Sequence, residues 1–158
     1  MAKKAVKKKI NRFLLALCFA IVFAVAGIGS FFTKIGAWYE SAKPAITPPN
    51  FIFPIAWSIL FILIALSMYL ALTSAKKNKP MIIWAFSLNL LLNVLWSFIF
   101  FTLQKPVLAF YNIILLWLSI IVMIFFTSKA NRLAGWLLVP YFLWVSFASY
   151  LNWLIAFG

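Results

Sequence analysis

Five long stretches of this chain carry no Lys, Arg, Asp or Glu: residues 13–32, 51–73, 81–103, 107–128 and 133–157. At 1.5 Å of helical rise per residue, each is long enough to cross a hydrocarbon layer of about 30 Å. Transmembrane strands would show weaker alternation in segments of about ten residues, so the pattern predicts helices. The remaining charge cannot cover a soluble surface. Only 9% of residues are charged, against about 25% in soluble domains. The sequence therefore predicts an all-α integral membrane protein, one domain over residues 1–158 with five transmembrane helices in a single bundle.

The basic residues cluster between the stretches. Lys3, Lys4, Lys7, Lys8, Lys9 and Arg12 precede the first; Lys76, Lys77 and Lys79 precede the third; Lys129 and Arg132 lie between the fourth and fifth. On the opposite side fall Lys34 and Lys43, in the 33–50 linker, and Lys105. Eleven against three predicts the N-terminus inside, the C-terminus outside and the 33–50 loop extracytoplasmic. A net charge of +13 would suggest nucleic acid in a soluble protein; placed at segment ends it reads as a topology signal, with the bilayer as partner and no nucleic acid. The basic start and Ala24-Val25-Ala26 resemble a secretory signal. The apolar run continues to Phe32, long for a signal, so an uncleaved first span is the expectation.

Composition also limits the chemistry. One acidic residue, Glu40, and no His leave no acid–base pair, no Ser–His–Asp triad and no His metal site. A single cysteine, Cys18, excludes an internal disulfide. No span carries an Asp, Glu or His of the kind that ion-coupled transport and proton relays use. No metal and no required cofactor are expected.

Polar residues within the spans are then the informative ones. Asn89, Asn93, Trp96, Ser97 and Phe100 recur at helical spacing on one face of the third stretch. An amide in hydrocarbon has no water to bond, so this face should point into the bundle. Interhelical hydrogen bonding and the wall of a ligand cavity both explain it, and spacing does not separate them. In the fifth stretch Pro140, Trp144, Ala148 and Asn152 follow at steps of four. Pro140 should kink this helix, and a packing face is the simpler reading there. Pro54 and Trp57 open the second stretch at an interfacial position, with Phe61 one turn further on. Ala16, Ala20 and Ala24 in the first allow close helix approach, within the chain or between two copies. An aromatic, amide-lined interior suits a flat, largely aromatic ligand.

Three blocks carry a family resemblance. The first is Trp38-Tyr39-x-x-x-Lys43-Pro44-x-x-x-Pro48-Pro49, followed by Pro54 and Trp57; the second is Asn93-x-x-Trp96-Ser97-x-Ile99-Phe100-Phe101. The third is Leu138-Val139-Pro140-Tyr141-x-x-Trp144-x-x-Phe147-Ala148-x-x-Leu151-Asn152. Together they resemble the TspO/translocator protein family, also called the peripheral benzodiazepine receptor family, and its bacterial members in particular. The resemblance implies a five-helix protein, often dimeric, that binds porphyrins and synthetic aromatic ligands beneath the first loop. By motif, Trp57, Asn93, Trp96, Tyr141, Trp144 and Ala148 would line the cavity, joined on their faces by Phe61, Asn89, Ser97 and Phe100. Trp38, Tyr39, Lys43, Pro44, Pro48 and Pro49 would form the lid loop.

The expected function is a membrane receptor or sensor for tetrapyrroles such as protoporphyrin. Light- and oxygen-dependent porphyrin breakdown, with Trp57 and Trp144 as the oxidisable indoles, is one alternative; a porphyrin, lipid or sterol transporter is another. Two departures bear on these. Asn112 stands where many relatives carry an Asp, and no Lys or Arg follows Arg132, so the cholesterol motif of mammalian members is missing. A bacterial cytoplasmic membrane is the expected location, with the mitochondrial outer membrane second.

Overall fold

A computed structural model describes residues 10–158. Lys3, Lys4, Lys7, Lys8 and Lys9, five of the six N-terminal charges used for orientation, lie outside the described residues. Seven α-helices follow in order: α1 Arg12–Phe32, α2 Ala37–Ala42, α3 Ile52–Ser74, α4 Lys79–Ser97, α5 Pro106–Ala130, α6 Arg132–Trp136 and α7 Val139–Phe157. A π-helical segment, Phe98–Thr102, extends α4. The described residues contain no strand. Five spans are long and apolar enough to cross a membrane: α1, α3, α4 with its π segment, α5, and α6 with α7. The protein is an all-α integral membrane protein with five transmembrane helices.

Local chemistry sets the helix ends. Asn11 caps α1, its side chain accepting from the Leu14 amide at 3.0 Å. Asn131 caps α6 in the same way, accepting from Leu133 at 2.9 Å and Ala134 at 3.4 Å. These bonds satisfy amides that the first helical turn leaves without partners. Pro80 and Pro106 occupy the first turns of α4 and α5, where a missing N–H costs little.

Around the bundle the neighbours run α1, α3, α6 with α7, α5, α4 and back to α1. α5 buries Ile113, Leu116, Ile120 and Met123 and packs mainly against α4 and α7. Between helices in lipid, burial from water supplies no drive, so close backbone approach and van der Waals fit take over. Small residues accordingly fill the contacts: Ala65, Ala71, Ala85, Ala109 and Ala134 are buried. Large apolar side chains such as Ile55, Ile59, Leu115, Leu118 and Phe125 point outward, as lipid requires.

One expectation needs correction and one is met. The 33–50 linker, read as a loop, contains the short helix α2. Gly36 enters it in an extended conformation, and the helix stops at Lys43, where the following Pro44 disfavours helical backbone. The fifth span is interrupted where Pro140 was expected to act, between Trp136 and Val139. The chain turns at Leu137–Leu138, two residues upstream, and Pro140 sits in the first turn of α7. A proline cannot bond the carbonyl four residues back, so breaking the helix before it removes the clash.

Candidate functional site

The upper half of the bundle, beneath α2, encloses a cavity of about 320 Å³. That volume lies at the lower end of the roughly 300–1,000 Å³ of small-molecule sites. α1, α3, α4 and α7 supply the helical walls; α5 supplies none. Trp57 and Phe61 come from α3, Asn93, Trp96 and Ser97 from α4, Phe100 from the π segment, and Ala148 from α7. All seven were expected on this wall. Tyr39 closes it from the lid.

The indoles are held in fixed attitudes. The Trp57 ring stacks on Phe61 at 5.4 Å between centroids and meets Tyr141 edge-on at 6.1 Å. The Trp96 ring stacks on Phe100 at 5.2 Å, and its Nε1 donates to Asn152 Oδ1 at 3.0 Å. Asn152 Nδ2 in turn donates to the Pro106 carbonyl at 2.9 Å, anchoring the set on α5. The pair lies four residues apart, a spacing that sets side chains on one helical face; the π segment begins between them at Phe98, and such segments recur at functional sites.

Three expected residues lie off the wall. Asn89 and Tyr141 are fully buried behind it. Asn93 Nδ2 donates to Tyr141 Oη at 3.2 Å, Tyr141 Oη donates to Asn89 Oδ1 at 3.1 Å, and Asn89 Nδ2 donates to Ser119 Oγ at 2.8 Å. Ser119 Oγ ends the chain on the Leu116 carbonyl at 2.6 Å. Of the two amides, Asn93 reaches the cavity and Asn89 supports it through Tyr141. Trp144 packs against Phe53 at 5.9 Å and Phe147 at 6.1 Å. Its Nε1 is buried without a hydrogen-bond partner. The α7 residues that face the cavity are Ala148, Leu151, Asn152 and Ile155; Trp144 is outside this set, its ring engaged by Phe53 and Phe147.

The lid is built from the 33–50 segment. Trp38 meets Phe100 edge-on at 5.5 Å, and Tyr39 meets Phe101 at 5.5 Å. Glu40 pairs with Lys43 and accepts from Asn50 Nδ2 at 2.7 Å. This clasp ties α2 to the chain that leads into α3. Hydrogen bonds from Lys43 and then Asn50 hold the Glu40 carboxyl below its ordinary range. Burial, and then the Glu40 charge, raise the Tyr39 phenol, so it stays neutral. Pro44 accepts from the Thr47 amide at 2.9 Å and Pro49 from the Ile52 amide at 2.9 Å, forming the turns of the lid. Trp38, Lys43, Pro44, Pro48 and Pro49 are thus structural parts of the lid, outside the cavity wall.

Sequence reasoning missed Gly29, Ser30, Thr47, Asn50 and Phe53 as wall residues. Gly29 faces Ser97, and a Cβ there would meet Ser97 Oγ at 3.8 Å, an ordinary contact. Among the described residues no group of three metal-ligating side chains occurs. What the site can do is stack flat rings and exchange a few hydrogen bonds.

A profile of the TspO/MBR family matches residues 16–157. The chain belongs to that family. Its TspO/MBR relatives include the tryptophan-rich protein TspO of Chlorobaculum tepidum, 41% identical over 89% of this chain and 92% of the relative. The tryptophan-rich protein TspO of Archaeoglobus fulgidus is 39% identical over 85% and 89%. The tryptophan-rich sensory protein of Cereibacter sphaeroides is 28% identical over 75% of each chain. The match runs from within α1 to the end of α7 and includes the 33–50 segment.

Proposed function

We propose that this protein is a membrane receptor or sensor that binds a tetrapyrrole such as protoporphyrin in the cavity beneath α2. The observation that carries the reading is the wall itself. Two stacked pairs, Trp57 on Phe61 and Trp96 on Phe100, flank an apolar space edged by Asn93 and Ser97. Offset aromatic surfaces with a few polar groups recognise flat, largely apolar rings. The name of the Cereibacter sphaeroides relative, a sensory protein, supports a signalling role over turnover. The placement of the indoles supports it too: Trp57 is on the wall and Trp144 is not, so a two-indole photo-oxidation has one partner turned aside.

The basic residues support insertion in a bacterial cytoplasmic membrane with the lid extracytoplasmic. Titrating the purified protein with protoporphyrin while following tryptophan fluorescence tests the reading. Saturable quenching at one equivalent is expected. Quenching that rises without saturation would reject it.

A further inference from the structure

A second cleft, of about 190 Å³, lies on the other side of α2 from the main cavity. Tyr39 and Phe101 form the partition, contributing to both walls. The cleft is built from the α1–α2 link and the turn that follows the π segment, with Lys34, Trp38, Thr102 and Gln104 as its other large side chains. We propose that it binds the anionic headgroup of a membrane lipid, with Lys34 as the cation and Gln104 as a hydrogen-bond donor.

Three observations converge. First, Lys34 has no carboxylate to pair with. The chain's one acidic side chain, Glu40, is engaged by Lys43 and Asn50. Second, Gln104 has φ of 53°, in the left-handed region that residues other than glycine rarely adopt. A left-handed residue is a common way to close a helix, and here it fixes where the Gln104 side chain leaves the backbone. Its neighbours hold it there: the Lys105 amide donates to Ile99 O at 3.1 Å, and Thr102 Oγ1 donates to Phe32 O at 3.1 Å. Third, the level is right. α1 ends at Phe32 and the π segment at Thr102, so the cleft opens just beyond the spans, in the headgroup layer. Trp38 and Phe101 give it an apolar floor for the glycerol and upper acyl carbons. A lysine and an amide above an aromatic floor match a phosphate diester on an amphiphile. The cleft is separate from the main cavity, so this proposal stands whether or not porphyrin binds there.

Native mass spectrometry of the full chain in detergent, supplied with phosphatidylglycerol or phosphatidylcholine, tests it. One phosphatidylglycerol per chain should be retained, with about fivefold preference, the effect of one lysine near an anionic surface. Lys34→Arg should keep the preference and Lys34→Gln should lose it. Gln104→Gly, which relieves the backbone, should weaken retention while the melting temperature holds or rises. Lys105→Gln, at the same end of the bundle and outside the cleft, should change nothing. Equal retention of the two lipids, or equal loss in Lys34→Gln and Lys105→Gln, would overturn the assignment. Displacement of the lipid by millimolar inorganic phosphate would do the same, by showing that a soluble anion is the ligand.

Discussion

Trp96 Nε1 donates to Asn152 Oδ1 at 3.0 Å, joining α4 to α7 across the edge of the cavity. The bond fixes the indole in the plane that stacks on Phe100. Asn152→Leu removes the acceptor and strands a partly buried N–H. Membrane-embedded polar contacts average about 0.6 kcal/mol and reach about 1.7, so a stability loss within that range is expected in a thermal melt. Protoporphyrin affinity should fall as well, because the freed indole can leave its plane. A variant that melts lower yet binds normally would separate the bond from the site.

Asn89 provides the contrast. It belongs to the chain of hydrogen bonds behind the wall and is itself out of the cavity. Asn89→Leu should lower the melting temperature, since Tyr141 Oη and Ser119 Oγ lose a partner. Porphyrin affinity should stay within about twofold, the effect of a contact worth less than 0.5 kcal/mol. A large loss of affinity at unchanged stability would place Asn89 in the site after all.

Gly135 sits where α6 crosses the end of α5. A Cβ there would run into the Ser128 side chain and come within 3.3 Å of its Cα. Backbone cannot yield as a side-chain tip can, so Gly135→Ala should destabilise by about 1–3 kcal/mol, the range for overpacking. The double variant Gly135→Ala, Ser128→Gly should recover part of that loss. Melting curves of the three proteins in one detergent decide it.

The lid clasp predicts a pH profile. Hydrogen bonds from Lys43 and Asn50 depress the Glu40 carboxyl in the folded chain. A depressed carboxyl contributes above its unfolded value, about 4.3, and the contribution is lost as pH falls through the lower folded value. Hydrogen exchange of residues 37–50, corrected for its intrinsic pH dependence, should therefore show constant protection between about pH 5 and 8. Protection should fall only in stronger acid. Glu40→Gln should lower protection between about pH 5 and 8 and remove the acid limb. A transition near neutrality would point to another group.

Much of this architecture was legible because lipid leaves a chain few choices. The five uncharged stretches could only be spans, and amides at helical spacing had to face inward. The wall residues Trp57, Asn93, Trp96 and Ala148 followed from face and motif together. Other features depend on departures from regular geometry that spacing alone cannot reveal. Treating the third stretch as one regular helix hides the π segment Phe98–Thr102. Steps of four in the fifth grouped Trp144 with Ala148 and Asn152, whereas its ring packs on Phe53 and Phe147, contacts that spacing does not specify. α2 has six residues, too few for a periodic signal, and its stability comes from Tyr39 and Trp38 packing on Phe100 and Phe101. The Glu40–Asn50 contact links residues ten apart across a proline-rich turn, which no local pattern specifies.

The central claim is that the cavity under α2 is the ligand site. Calorimetric titration of wild type and Ala148→Phe with protoporphyrin tests it most directly, because Ala148 lines the cavity and the added ring would occupy part of its volume. The wild type should bind one equivalent, and Ala148→Phe, at an unchanged melting temperature, should bind at least about tenfold more weakly, a loss of about 1.4 kcal/mol. Equal affinity in the two proteins would contradict the account.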